Sequence, residues 1–513
     1  MSNENGYRRL TLVSVCWMVL MATIVVIVAF CHFPDGADWK WCIPLEGRYH
    51  IPMMLCGAVA FFLVAFVCKQ CCRNEKINRG RIATITAMLT VIQTVMVYNY
   101  YVFTDWDVQQ VTGLAQAMAE GRPTDDFREY FQIAPNNLFL TRVFALIFFV
   151  TGPIWGLKTS LFPLIALQSI GAGLTAIMLF QTAMHIWEKK SYAVIAYIIY
   201  LVLVWFSPWW SIPYSDVWGL MVSVALLWLA TTLPFRRGWL KLLIIGVVTV
   251  LGYYIRPQIV FVPLSLGLVC LLKGRNFKKL LSQTGLMAGG IVVGILIAHL
   301  AVAGSGMHLH TSKGFGATHY LMMGANYQSI GIYSAQDVDF SKSLPKKKER
   351  QRAELDEMWR RYKALELDGT LLLWGRKNLL NFSDGTFYWG REGSFYKIVP
   401  ERSNWISRIT RNVFYNRGLK GSCNDAWSIV MTSLWFGVLF FTFIAAWPRR
   451  REAEIHTLQR EDRKIEIDAM MLSVMLLTLF HTLSEARARY LFCFAPLFIL
   501  VAVEGVKRLF SRV

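Results

Sequence analysis

The sequence predicts an all-α, polytopic membrane protein: a bundle of about 12–13 transmembrane helices with a small exterior domain of α/β or mixed type. Three observations predict it. Of the 513 residues, 55% are hydrophobic, and the mean hydropathy is +0.41, a balance that soluble globular chains seldom reach. Charged residues make up only 17%, and they gather between apolar runs. The runs themselves approach the roughly 20 residues that a helix needs to cross a bilayer.

About thirteen runs qualify: residues 10–30, 51–67, 82–103, 138–150, 161–184, 192–206, 217–233, 240–254, 259–272, 286–302, 427–447, 470–483 and 490–506. No small-residue cleavage site follows the first, so it reads as a span and not as a signal peptide. The net charge of +20 is distributed as the positive-inside rule expects. Arg8 and Arg9 precede the first run. Lys69, Arg73, Lys76, Arg79 and Arg81 separate the second and third. Arg236, Arg237 and Lys241, then Lys273, Arg275, Lys278 and Lys279, then Arg449, Arg450 and Arg451, and finally Lys507 and Arg508 follow at later boundaries. All fall on the side read as cytoplasmic. No basic, aromatic-interleaved soluble module is present, which argues against nucleic acid as a partner. Both termini come out cytoplasmic, which requires an even number of crossings, whereas the runs are odd in number. Run 138–150 is short and carries Arg142; it either crosses or is a juxtamembrane or re-entrant piece.

The reading divides the chain into N-terminal spans (1–103), a first exterior loop (104–137), a transmembrane core (138–303), an exterior domain (304–426) and C-terminal spans (427–513). Shorter exterior turns fall at 211–216 and 484–489. Within the exterior domain a charged helix is expected from 346 to 367. The ten cysteines form no metal-binding pattern. Cys31 and Cys42 flank a polar stretch, where they either pair or stay as free thiols.

Candidate chemistry lies on the exterior side. The first loop opens with Thr104-Asp105-Trp106-Asp107. Carboxylates at a membrane boundary are costly unless hydrated, paired or used. Asp105 and Asp107 either hold a divalent cation such as Mg or Mn together, or divide the work of deprotonating and orienting a hydroxyl, or form a hydrated helix terminus. Residues 111–121 read as an interfacial amphipathic helix. Glu129-Tyr130-Phe131 and Pro135-Asn136-Asn137 follow, the latter a helix-capping stretch. In Pro213-Tyr214-Ser215-Asp216, Asp216 is either a helix cap or a third acid of the same cavity. Arg256 ends the eighth run. Glu485, Arg487, Arg489 and Tyr490 lie between the last two. Arginine's planar fork suits a phosphate or, alternatively, lipid headgroups. His319 and Asn326 sit in a Gly-rich stretch, where His319 taken alone reads as structural.

In this order the segments resemble the GT-C-fold glycosyltransferases, near the protein O-mannosyltransferases and the lipid A aminoarabinose transferases. More narrowly, they are similar to multi-spanning glycosyltransferases of Gram-positive bacteria, through His319–Asn326 and Asp384–Trp389. The resemblance runs from about 82 to 506; each motif is loose, and their order is the specific part. It implies a polyprenyl-phosphate-linked sugar donor and an extracytoplasmic glycan or protein acceptor at the plasma membrane. It also implies Asp107 as base, with Asp105 assisting or binding a metal. Asp216, Arg256, His319, Asn326, Glu485, Arg487, Arg489 and Tyr490 are then substrate-binding, with Arg256, Arg487 and Arg489 on the carrier phosphate. No cofactor other than that possible cation is implied. The chain departs from the pattern in having Asp-x-Asp where relatives have adjacent Asp-Glu, and in lacking a Trp-Trp-Asp motif. Two other readings compete: a lipid-linked glycan transporter, which calls for mid-membrane charges and repeated broken helices, and a non-catalytic envelope-assembly protein.

Overall fold

The computed structural model describes residues 2–31, 49–74, 79–104, 106–155, 161–232, 238–273, 277–307, 309–310, 312–389, 396–398, 403–415, 423–447 and 463–510. Cys42, Arg236, Arg237, Arg275 and Arg449 to Arg451 therefore lie outside the described residues, as does Asp105.

The chain is a helical bundle. Helices α1 (Ser2–Phe30), α2 (His50–Asn74) and α3 (Arg79–Tyr100) lead into a short strand β1 (Val102–Thr104) and helix α4 (Asp107–Glu120). After α5 (Arg128–Ile133) come α6 (Leu138–Trp155), α7 (Phe162–Trp187) and α8 (Lys190–Tyr200), the last continued by a π-helical turn over Leu201–Trp205. Then follow α9 (Ser215–Thr231), α10 (Gly238–Ile255), α11 (Phe261–Leu272) and α12 (Phe277–Ala303). Helices α13 (Ala317–Gly324), α14 (Ala335–Lys342) and α15 (Lys347–Phe382), strand β2 (Tyr396–Ile398) and α16 (Trp405–Phe414) occupy the expected exterior segment. The chain ends with α17 (Asn424–Ile444), α18 (Arg463–Leu483), α19 (Arg489–Phe492) and α20 (Ala495–Phe510).

Nine described helices are long and apolar enough to cross a membrane, and α8 with its π turn, α9 and the Pro257–Leu272 segment are shorter apolar helices. One of the nine, α6, begins at the end of the bundle where α9 starts. Asn137, just before it, reaches Tyr214 ahead of α9. Arg142 donates to the carbonyl of Ala301 at the close of α12. Phe144 packs on Trp218, one turn into α9. The chain then resumes at Phe162, whose ring meets Tyr98 at the close of α3. Helix α6 lies along α4. Beside these helices stands the buried α20.

The described residues of 104–137, 206–214, 256–260, 304–423 and 484–494 stand at one end of the bundle, the loop end. Lys69, Arg81, Lys189, Lys241, Lys273, Lys507 and Arg508 cluster at the opposite end, where Lys507 and Arg508 reach Glu504 and Lys273 approaches Asp468. Helix α20 is the centre of the bundle: Ala495 to Val506 are all buried among α8, α9, α17 and α18. A helix apolar on every side can be stable only when enclosed in this way.

The described residues of 304–426 are mainly helical, and among them no sheet domain is present. The one sheet is a two-stranded antiparallel ribbon in which Val102, Phe103 and Thr104 pair with Ile398, Lys397 and Tyr396. The helix expected over 346–367 extends to Phe382 with a break at Glu366, where φ is 57°.

Helices in lipid gain no hydrophobic drive from one another, so close backbone approach through small residues replaces it. Helices α2 and α17 cross at Gly57 and Gly437, each of which would set a Cβ against the other helix's backbone. Gly57→Leu is expected to destabilise the bundle by about 3 kcal/mol or more, since the backbone it strikes has no rotamer to yield. Gly267→Ala, where nothing lies within 4 Å, is the control. Thermal unfolding in detergent checks both, with a lowered Tm for the first variant alone.

Candidate active site at the loop end

The site starts from Asp107, the first residue of α4. Its side chain stands where the unsatisfied N–H groups of a helix start gather. Helix α4 is amphipathic: it buries Val108, Val111, Leu114 and Ala115 and ends at Gly121, whose φ of 67° needs no Cβ. Asp107 is thereby fixed yet only partly buried.

Two tyrosines hold its surroundings. Tyr214 donates its hydroxyl to Asp107 Oδ2 at 2.9 Å. Asn137 Nδ2 donates to Tyr130 Oη at 2.6 Å and to Tyr214 Oη at 3.4 Å. Burial raises the pKa of both phenols well above the ordinary value, and the Asp107 charge adds to it. Both therefore stay neutral and keep a proton to donate.

The opposite wall is the stretch from Glu485 to Tyr490. The Arg489 guanidinium lies 4.0 Å from the ring of Trp106, the residue preceding Asp107, and 5.5 Å from Tyr490. Cation–π contacts of this kind orient a guanidinium. Arg487 Nε stands 3.8 Å from Glu485. Burial raises the Glu485 pKa; Arg487, Arg489 and a hydrogen bond from Tyr490 oppose it, while Asp107 adds to it. Tyr320, from α13, is raised by burial and then by both Glu485 and Asp107. The two acids, the arginines and the tyrosines thus share one enclosure.

Beneath them Asp216 and Arg256 form a buried ion pair at 2.6 Å. Arg256 also stacks over Tyr490 at 4.6 Å. Its engagement with Asp216 makes it part of the floor, where the sequence pointed to a phosphate ligand. Asp216, expected as a third acid or a cap, is fully enclosed in that pair.

His319, on the far face of α13, and Asn326, two residues past its end, lie outside the enclosure. His319 Nδ1 meets Ser341 Oγ at 2.8 Å, and that hydroxyl donates to Glu354 at 2.8 Å. Asn326 donates to Asp337 at 2.9 Å. Both hold α13 against α14 and α15, so a direct substrate contact is not where the geometry puts them. Asp105 lies outside the described residues, so the proposed Asp105–Asp107 cation site is not described. Among the described residues no three His, Cys, Asp or Glu side chains gather to hold a metal.

A family model described as conserved hypothetical integral membrane protein matches residues 49–508. The chain belongs to this family. No curated protein and no solved structure matches it. The match starts just before α2 and ends within α20, so in this family member it takes in every residue of the enclosure.

Several residues of the enclosure are not evident from the sequence of this family member. Trp106, Tyr130, Asn137, Tyr214 and Tyr320 line or brace the site. Tyr130, Asn137 and Tyr214 stand inside segments that drew notice for other reasons, but aromatic residues at a membrane boundary are too common to signal a site. Lys377 is hidden further still. It is fully buried and donates to the carbonyls of Gly324, Thr482 and Ser484 at 2.8, 2.7 and 2.7 Å. Burial pushes its pKa down to about 7. It ties the Arg-bearing stretch to the exterior segment from behind.

Burial also pushes His319 down to about 4. The unfolded chain, with an ordinary histidine, then binds a proton between about pH 6.5 and 4 that the folded chain refuses. Stability is complete above pH 6.5 and falls by about 3 kcal/mol as pH drops to 4. His319→Gln should lose much less over that window. Amide hydrogen exchange in 317–324 at pH 7 and 4.5 checks this, with equal acid loss in both proteins contradicting it.

Proposed function

We propose that this protein is a glycosyltransferase of the plasma membrane, taking a sugar from a polyprenyl-phosphate carrier and passing it to an extracytoplasmic glycan or protein. The observation that carries the reading is the neighbourhood of Trp106 and Asp107: a partly exposed carboxylate held by Tyr214, with the Arg489 guanidinium stacked on the adjacent indole. A base and an anion-binding group side by side suit displacement of a phosphate.

The step is as follows. The acceptor hydroxyl gives its proton to Asp107 as its oxygen bonds to the anomeric carbon. The bond from that carbon to the carrier phosphate oxygen breaks, and the electron pair leaves on the polyprenyl phosphate. Arg489 and Arg487 stabilise the charge that develops there. Attack opposite the leaving group inverts the anomeric carbon. A lipid-borne leaving group stays at the bilayer boundary, which fits a site at one end of the bundle. The basic residues at the opposite end favour a cytoplasmic position for that end and an outward-facing site. In the described crossing helices the acids Asp216, Asp425, Glu466, Asp468 and Glu504 stand near helix ends, which favours a transferase over a transporter with mid-membrane charges.

Asp107→Asn, inserted and expressed as the wild type is, should abolish transfer, losing about 100-fold or more in rate. Mass spectrometry of envelope glycans from cells carrying each form reads the result; an unchanged glycan profile removes Asp107 from the role of base. Arg489→Ala should weaken carrier binding by about tenfold or more, the worth of one charged hydrogen bond, and leave acceptor affinity nearly unchanged. A fall in acceptor affinity alone would contradict the phosphate assignment.

A further inference from the structure

Helix α16 turns both polar and apolar side chains inward: Ser407, Thr410, Arg411 and Phe414 are buried. Its outward face carries Trp405, 65% exposed, and Ile409, 54% exposed, with Arg408 between them. Water would penalise two large apolar side chains displayed together on one turn.

The inward face is fixed to the end of a crossing helix. Asn404, the residue that caps α16, donates to Asn99 Oδ1 at 2.8 Å. Ser407 Oγ and Arg411 Nε both donate to the Asn99 carbonyl at 3.2 Å. Tyr415 donates to the Tyr100 carbonyl at 2.9 Å. These are carbonyls of the last turn of α3, the kind a helix leaves unsatisfied at its C-terminus. The apolar span of α3 ends at Tyr100. Helix α16 is therefore held at the depth where hydrocarbon gives way to headgroups.

We propose that α16 is a lipid-surface anchor, its Trp405–Ile409 face seated in the headgroup–acyl boundary of the leaflet at the loop end. A tryptophan, an isoleucine and an arginine on one outward face fit that boundary: the rings and branched chain enter the acyl edge, and the guanidinium meets phosphates. The position has a structural consequence. Asn99 and Tyr100 lead directly into β1, which pairs with β2, and Trp106 and Asp107 follow at once. The anchor braces the segment that presents Asp107 and sets its height above the bilayer. None of this depends on the chemistry proposed for Asp107.

The test uses the full-length protein in phosphatidylcholine vesicles. The emission of Trp405 is the difference between wild type and Trp405→Phe, a change small enough to keep the fold. Lipid brominated near the headgroup should quench that difference by about half or more, and lipid brominated near the chain ends should quench it less. Equal emission in plain and brominated vesicles, whether water or another protein covers the face, overturns the proposal. Stronger quenching by the deep bromine overturns it as well. A second measurement addresses the brace: Trp405→Glu combined with Ile409→Glu should speed amide exchange at Val102 to Thr104 by about tenfold. Unchanged exchange there would overturn the bracing role.

Discussion

At the floor of the loop-end enclosure, Arg256 and Asp216 meet at 2.6 Å, almost fully removed from solvent. Removing two charges from water is costly, and only close geometry with further contacts repays it. Here the further contacts come from separate elements. Ser215 accepts from Arg256 at 3.3 Å, Tyr490 receives its cationic face, and the Cys493 thiol donates to the Asp216 carbonyl at 3.1 Å. One pair thus ties the start of α9, the close of α10 and the α19 stretch to a common point. Loss of either partner would strand the other charge, at a cost of about 3–5 kcal/mol.

The side chains of the proposed site hang from that point. Tyr214 stands two residues before Asp216 and reaches Asp107; Arg489 precedes Tyr490 and reaches Trp106. Fixing the floor fixes both sides of the enclosure relative to one another. The Lys377 ammonium, bonded to three carbonyls, restrains the same stretch from the exterior segment. The enclosure is therefore preorganised from below and from behind, while Asp107, Tyr130, Tyr320, Glu485 and Arg487 remain partly exposed. Preorganised charge is what electrostatic catalysis requires.

Much of the bundle was legible in the sequence because bilayer thickness imposes one length on every crossing helix. The parity of termini and runs singled out 138–150, whose helix α6 lies along α4. The charged helix beginning near 346 was legible from composition, but its continuation past Glu366 was not, since 367–382 is mixed in character. At the site, Asp107, Glu485, Arg487 and Arg489 stood out because charge at a membrane boundary demands a reason. Trp106, Tyr130, Tyr214 and Tyr320 did not, because their role depends on which acid they face. Arg256 shows the limit of that logic: a boundary arginine can answer a phosphate or a buried carboxylate, and only packing distinguishes them. His319 lost its apparent promise for a related reason, since a helix has two faces and Tyr320, beside it, takes the one that meets the acids.

The central claim is that the enclosure receives a lipid phosphate. Its most direct measurement compares binding of a polyprenyl phosphate and of the matching polyprenol to the full-length protein in nanodiscs. The phosphate-bearing lipid should bind about tenfold or more tightly, and the gap should close when Arg487 and Arg489 are both replaced by alanine. Equal affinity for the phosphate and the alcohol in the wild-type protein would contradict the account.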